Sequence, residues 1–351
     1  MSGTKWHQGS NADATLKNLF KKSVNTLYEE LLSIIEKHSG QATRITEKYP
    51  WIHVHQAARY IELLSERDFE LIMSTRITYK SIRINTLITT REDLTTRLIR
   101  KGVQLRSHPF INYGLLIDYS PYPVGALHEY ILGLYTLQGP ASMMAVPALS
   151  PENSKHVLDM CAGAGIKTTQ ISQHNPNAAI IALDINRRKL IALKNNASRL
   201  HADNIIAINM DARQASRLGT FDAILLDAPC SGEGLIVFRE KAKPRTAEDI
   251  ISRVELELEL LNEALNAAQK NSIIVYATCS MSFEENEYVV GTLLEARGDF
   301  ELEDPPIRGG VNGFTRYGSI RVDNSLSKCR RYFPHLHGTE GFTICRLRKT
   351  R

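Results

Sequence analysis

Residues 221–234 read FDAILLDAPCSGEG. Ala223 to Leu226 form a short apolar run that reads as a buried strand; it ends at Asp227, and a Pro-Cys-Ser-Gly turn follows at once. In an open α/β sheet, ligands bind in the crevice beyond the carboxyl ends of the strands. Asp227 and Cys230 therefore belong at the rim of such a crevice. A second apolar run, Ser272 to Thr278, ends in the same way at Cys279. Two thiols, each just past a buried strand, are the feature that a functional reading must account for.

Around this stretch the chain alternates strictly. Strands are expected near 156–160, 179–183, 204–209, 221–227 and 272–278, and helices near 167–174, 187–200, 246–270 and 283–296. That rhythm is the signature of a mostly parallel, doubly wound α/β sheet, a Rossmann-like fold. A last strand, Gly341 to Leu347, runs into a basic end. Glu255, Glu257 and Glu259 lie inside the long helix and read as a solvated face.

Upstream the pattern differs. Residues 1–12 are polar and expected to fray. Apolar residues from Leu16 to Ile35 recur at helical spacing, with Asp13 as N-cap and Gly40 as stop. A second helix is expected over 50–65, with Pro50 in its first turn, and a third over 66–74. Ser81 to Leu87 alternates as a strand, Arg91 to Lys101 reads as a helix closed by Gly102, and strands follow at 103–106 and 114–118. The expected division is a helical segment (1–75), a small α/β, RRM-like unit (76–145) and the Rossmann-like domain (146–351).

Composition narrows the class. With 351 residues, 43% hydrophobic and 23% charged, the chain is globular and long for one domain. A net charge of +5 is a mild basic bias. Lys328, Arg330, Arg331, Arg346, Arg348, Lys349 and Arg351 crowd the final segment. The five cysteines, 161, 230, 279, 329 and 345, are odd in number and widely spaced, which argues against a disulfide framework. Reduced thiols are expected, with Cys161 as a small turn residue and Cys329 and Cys345 as packing residues. No metal-ligand spacing is present; His53 and His55 fall on different helix faces. No signal-type segment or membrane-length apolar run is seen, so a cytoplasmic protein is expected, away from membranes.

The turn after the first parallel strand reads Asp159-Met160-Cys161-Ala162-Gly163-Ala164-Gly165-Ile166-Lys167-Thr168. Small residues there let a ligand approach the backbone at a helix N-terminus. Asp184 ends the second strand, placed for ribose hydroxyls, and Asp211 follows the third, in reach of an adenine edge. Together they read as a site for an adenosine-containing ligand. A phosphate-binding loop would need glycine at Cys161 and Ile166. A dinucleotide fingerprint would need it at Thr168 and leaves the cysteine pair without a role.

Over roughly residues 45–349 the chain resembles the Nop/Sun RNA cytosine-5 methyltransferases. DAPCSGEG at 227–234 and ATCSMSFEENE at 277–287 look like that family's two cysteine motifs; RINTL at 83–87, QGPASMMAVPAL at 138–149 and RRYFPHLHGTEGF at 330–342 are further matches. The likeness is greatest to archaeal tRNA methyltransferases of the family. Where the family shows C-A-A-P-G-x-K-T, this chain has Gly163-Ala164 in place of Ala-Pro, a looser loop.

The resemblance implies S-adenosylmethionine as cofactor, held by residues 161–167, Asp184, Asp211 and Asp227. It assigns attack on carbon 6 of cytosine to Cys279, release to Cys230, base binding to Asp227, and a supporting role beside Asp227 to Lys167. The implied partner is RNA, with tRNA favoured and rRNA as the alternative; no obligate protein partner is evident. The 76–145 unit and the basic C-terminal segment are the expected RNA platform, with Arg83, Arg330 and Arg331 as phosphate contacts. A non-catalytic RNA-binding factor on the same fold is the rival reading. Loss of Cys279, Asp227 or Lys167 would favour it, and all three are present.

Overall fold

A computed structural model describes residues 11–238 and 243–351. Four helices open the chain: α1 (Asn11–Lys37), α2 (Ser39–Lys48), α3 (Val54–Leu63) and α4 (Glu66–Ser74). α1 buries Phe20, Val24, Leu27, Leu31 and Ile34, the stripe of an amphipathic helix. The expected fraying of residues 1–12 falls outside the described residues up to position 10, and Asn11 already opens α1. The break after α1 falls at His38, not at Gly40, which lies inside α2. The His38 ring holds that break, bonding Gln41 Oε1 at 2.8 Å and Glu62 Oε2 at 2.5 Å. α3 also starts later than expected, because His53 rather than Pro50 introduces it, its ring accepting the His55 N–H.

A four-stranded antiparallel sheet follows, built from β1 (Lys80–Ile84), α5 (Arg91–Arg100), β2 (Gln104–Ser107), β3 (Gly114–Tyr119), the short α6 (His128–Ile131) and β4 (Tyr135–Leu137), in the order β2-β3-β1-β4. Ile82, Ile84, Leu115 and Ile117 share a core with Leu94 and Leu98 of α5. Strand alternation sends Arg83 to the opposite face.

The rest forms the large sheet and its cover: α7 (Ala145–Leu149), β5 (His156–Asp159), α8 (Ile166–His174), β6 (Ala179–Asp184), α9 (Arg187–Arg199), β7 (Ile205–Asn209), β8 (Phe221–Asp227), α10 (Ala247–Asn266), β9 (Ala268–Thr278), α11 (Val289–Arg297), β10 (Phe300–Glu303), β11 (Val311–Asn312), β12 (Arg316–Tyr317), β13 (Ile320–Arg321), β14 (Arg330–Tyr332), α12 (Pro334–His337) and β15 (Phe342–Lys349). The order is β11-β14-β15-β9-β8-β5-β6-β7, with β10 also on β15. β5 to β9 run parallel, while β15 returns antiparallel to β9. Alternate residues feed two cores. Ile224, Leu226, Ile274 and Tyr276 pack with residues of α1 and α10; Leu225, Val275 and Ala277 pack with residues of α7 and Ile171 of α8. From β5 the chain winds outward to β6 and β7, then crosses back to β8 and β9. The loops after β5 and β8 thus flank the topological switch point, where such sheets bind ligands.

Candidate active site

After Asp159 the chain turns through Cys161–Gly165 into α8. Gly163 and Gly165 have φ of +57° and +79°, and a Cβ on Gly165 would sit 2.6 Å from Leu193 Cγ, so the turn needs glycine there. At Gly163 nothing lies within 4 Å of the Cβ position, leaving an open wall. Asp184 accepts the Gly163 N–H at 2.9 Å and the Asn186 N–H at 2.7 Å. Asp211 caps the turn after β7 and pairs with Arg213 at 2.7 Å. Residues 161–164, Ile166, Lys167, Asp184, Asp211 and Asp227 all line one cleft of about 850 Å³. An adenosine-bearing group fits them. The wall is small, the lone pairs left on Asp184 can accept ribose hydroxyls, and Ile185, 71% exposed at the rim, offers a flat ring an apolar surface.

Across the switch point, Lys167 reaches from α8 to β8, its Nζ 2.6 Å from Asp227 Oδ2. Burial draws the Lys167 pKa down, but the charge of Asp227 and this hydrogen bond outweigh it and leave it raised. Asp159 Oδ2 accepts the Thr168 hydroxyl at 2.6 Å, and burial, helped by the Asp227 charge, pushes its carboxyl up to about 7.

Parallel pairing sets Asp227 opposite Ala277 and brings the two strand ends together. Cys230 Sγ lies 3.2 Å from Cys279 Sγ. The hydrogen bond to Cys279 and burial both raise the Cys230 pKa well above the thiol range, so Cys230 stays protonated. A second cleft of about 510 Å³, walled by Thr78, Tyr79 and Phe342, meets the first at Lys167, Asp227 and Cys279.

Sequence alone assigned no role to the acids after Cys279. Glu284–Tyr288 forms a π-helical turn, a form frequent at functional sites, and its side chains are buried. Glu284 and Glu233 share Arg59 of α3, at 2.7 and 2.9 Å. Glu287 pairs with Arg331 at 2.6 Å. Asn286 accepts the Thr278 hydroxyl at 2.7 Å and donates to Ser282 O at 2.6 Å. The signal was four polar residues in a row between Phe283 and Tyr288-Val289-Val290, a setting too apolar for a surface.

Several sequence expectations fail here for physical reasons. Arg83 is 1% exposed; it bonds Gln138 Oε1, Ile166 O and Thr169 Oγ1, pinning the small sheet to the first turn of α8. Arg331 is fully buried against Glu287, and Arg330 pairs with Asp304. None of the three is a free phosphate contact. Most of the basic C-terminal segment, Arg351 apart, is also engaged internally. Antiparallel β10 lays Glu303 and Glu301 opposite Arg346 and Arg348; Glu303 pairs with both arginines, and Lys349 pairs with Asp299. Glu257 is buried, while Glu255 and Glu259 are exposed, because i and i+4 share a helix face that i+2 does not. Cys329 and Cys345 form a disulfide rather than two packing thiols. Arg330 pairs with Ile344, so position 329 falls opposite 345, at a Cα separation of 4.4 Å. Cys161, Cys230 and Cys279 are free.

The family described as 16S rRNA methyltransferase RsmB/F matches residues 146–348. The chain belongs to that family. Its members are S-adenosylmethionine-dependent methyltransferases. The chain is 39% identical to the human 28S rRNA (cytosine(4447)-C(5))-methyltransferase over 277 residues, which span 77% of this chain and 34% of that protein. With the ribosomal RNA small subunit methyltransferase F of Vibrio parahaemolyticus it shares 34% over 281 residues, 77% of this chain and 57% of that one. It thus spans about a third to somewhat over half of these curated relatives. A crystal structure of a methyltransferase homolog protein from Pyrococcus horikoshii shares 31% identity and superposes with a TM-score of 0.77, covering 90% of this chain and 99% of that one. No helix among the described residues is long and apolar enough to cross a membrane.

Proposed function

We propose that the chain methylates carbon 5 of cytosine in RNA through a covalent cysteine–base intermediate. The observation that carries this is the pair of thiols at 3.2 Å, set beside Lys167–Asp227 where the two clefts join. Carbon 5 of cytosine is a poor nucleophile. The Cys279 thiolate adds to carbon 6, forming a C–S bond and moving the electron pair to carbon 5, which can then take a methyl group. S-adenosylmethionine, when bound in the larger cleft, supplies that methyl as an electrophile. Asp227, beside Lys167, hydrogen-bonds the cytosine at N3 and at its amino group, and the proton shared with N3 offsets the negative charge that the addition puts on the ring. Cys230 serves the last step: with Cys279 tied up in the adduct, Cys230 gives its own proton to solvent and its sulfur takes the carbon-5 proton, whose electron pair re-forms the 5,6 double bond as the C–S bond breaks to return the Cys279 thiolate. Residues 146–351 would form the catalytic domain, behind a helical segment (1–75) and a small α/β unit (76–145). Free thiols in the cleft suit a reducing cytoplasm, and the Cys329–Cys345 disulfide is fully buried from reductants.

For the RNA itself, the two curated relatives compared above carry ribosomal-RNA names, which favours ribosomal RNA. The tRNA preference expected from sequence rests on the resemblance alone. Bisulfite sequencing of cellular RNA with and without the protein decides between them. A new unmethylated cytosine in rRNA on deletion supports the first reading, and one in tRNA the second; no change in either defeats both. On purified RNA, turnover should fall steeply between 50 and 200 mM salt, by about 10³-fold if some six phosphates are contacted. A flat salt profile would exclude a phosphate-reading enzyme.

Asp184→Ala should weaken S-adenosylmethionine binding without RNA by about tenfold or more, since it removes both the ribose acceptor and the tether on Gly163. Calorimetry reads this directly. Tight ATP binding with none for S-adenosylmethionine would overturn the cofactor assignment.

A further inference from the structure

Each active-site cysteine is followed by a serine, and the two serines meet. Ser231 Oγ lies 3.3 Å from Ser280 Oγ, and Ser280 Oγ lies 3.2 Å from Ser282 Oγ. One carboxylate holds two of them, Ser231 and Ser282, and Ser280 bonds both of these. Glu285 Oε1 accepts the Ser231 N–H at 2.5 Å, while Oε2 accepts the Ser231 hydroxyl at 2.6 Å and the Ser282 hydroxyl at 3.0 Å. Glu285 is itself fixed: its N–H donates to Ser282 Oγ at 3.2 Å, and its carbonyl accepts the Tyr276 hydroxyl at 2.6 Å. Glu285 and Ser280 are fully buried, and Ser231 and Ser282 nearly so. A second tie lies alongside, Gly234 N–H to Cys279 O at 2.9 Å.

Resting on the function proposed above, we infer that Glu285 is a positioning residue that holds the Cys230 loop and the Cys279 loop at their working separation. The carboxylate touches neither thiol. It acts through Ser231, next to Cys230, and through Ser282, whose N–H and hydroxyl bond Ser280 next to Cys279, so one side chain on the π-helical turn braces both loops. With that clamp gone, Cys279 still attacks, but Cys230 no longer reaches the adduct in time.

The test compares wild type, Glu285→Ala and Glu285→Gln with diamide as oxidant, without RNA or cofactor. Diamide takes up two electrons and two protons as the Cys230–Cys279 S–S bond forms, and mass spectrometry of the cross-linked peptide gives the rate. Closure should be about a hundredfold slower in Glu285→Ala, the scale on which a displacement of about 1 Å tells. Glu285→Gln keeps the acceptor for the Ser231 N–H and should close close to the wild-type rate. With RNA, Glu285→Ala should accumulate protein–RNA adduct, and Glu285→Gln should not. Wild-type closure in the alanine variant, or equal slowing in a folded glutamine variant, overturns the clamp. If Glu285→Ala does not fold, the Ser231→Ala, Ser282→Ala double variant replaces it: slowed closure supports the clamp and unchanged closure defeats it. A wild-type protein that neither methylates nor traps RNA defeats the functional reading, and the closure rate then decides the clamp by itself.

Discussion

Cys279→Ala should lose methylation by on the order of 10⁴-fold or more, because the covalent step has no substitute nucleophile. Cys230→Ala should behave differently. Attack and methyl transfer proceed, but the adduct does not resolve, and protein stays joined to RNA through Cys279. A denaturing gel separates the cases: a slow band appears with Cys230→Ala, is missing with Cys279→Ala, and vanishes in the double variant. The two sulfurs lie 3.2 Å apart, so each single variant still leaves one thiol facing the same pocket. An adduct in Cys279→Ala instead would exchange the roles. Normal turnover in both variants would reduce the pair to core residues and revive the non-catalytic reading.

Arg59→Ala should cost about 3–5 kcal/mol of stability, the toll of breaking a buried ion pair by removing one partner. Arg59 is 2% exposed and makes four hydrogen bonds, two to Glu233 and two to Glu284, at 2.7 to 3.2 Å. Without it, two carboxylates remain buried on the segments that carry the cysteines. Arg59→Lys should recover only part of the loss, because an ammonium cannot grip both carboxylates as a planar fork does. Urea unfolding followed by circular dichroism measures both variants. An Arg59→Ala midpoint equal to wild type would show that α3 is not tied to the catalytic segments through this cluster.

The parallel sheet was legible because its strands are short apolar runs rich in isoleucine, leucine and valine, each closed by a polar residue or a turn. The thiol pair was legible for the same reason. Two runs, each followed within three residues by a cysteine, become neighbours once β8 and β9 pair in register. What escaped detection depends on contacts distant in sequence. Arg83 looks like an RNA contact until Ile166 and Thr169 are seen to cover it. Arg331 looks solvated until Glu287 lies against it. Cys329 and Cys345 look unrelated until the pairing of β14 with β15 sets them opposite one another. The acids of the EENE stretch are a harder case: their composition says surface, and only the π-helical turn points each toward a different buried partner.

The place of β15 in the sheet bears on how this protein is made. β9, which ends beside Cys279, pairs on one side with β8, made earlier, and on the other with β15, made later. Between Thr278 and Phe342 the ribosome adds roughly 64 residues, or about 3–13 s of synthesis at about 5–20 residues per second. Through that interval the nascent chain carries β9 with an open edge of unpaired backbone groups, the kind of edge that recruits other strands. The nucleophile is thus translated well before its strand is closed on both sides, and aggregation of nascent chains is the hazard that residues 342–349 bring to an end.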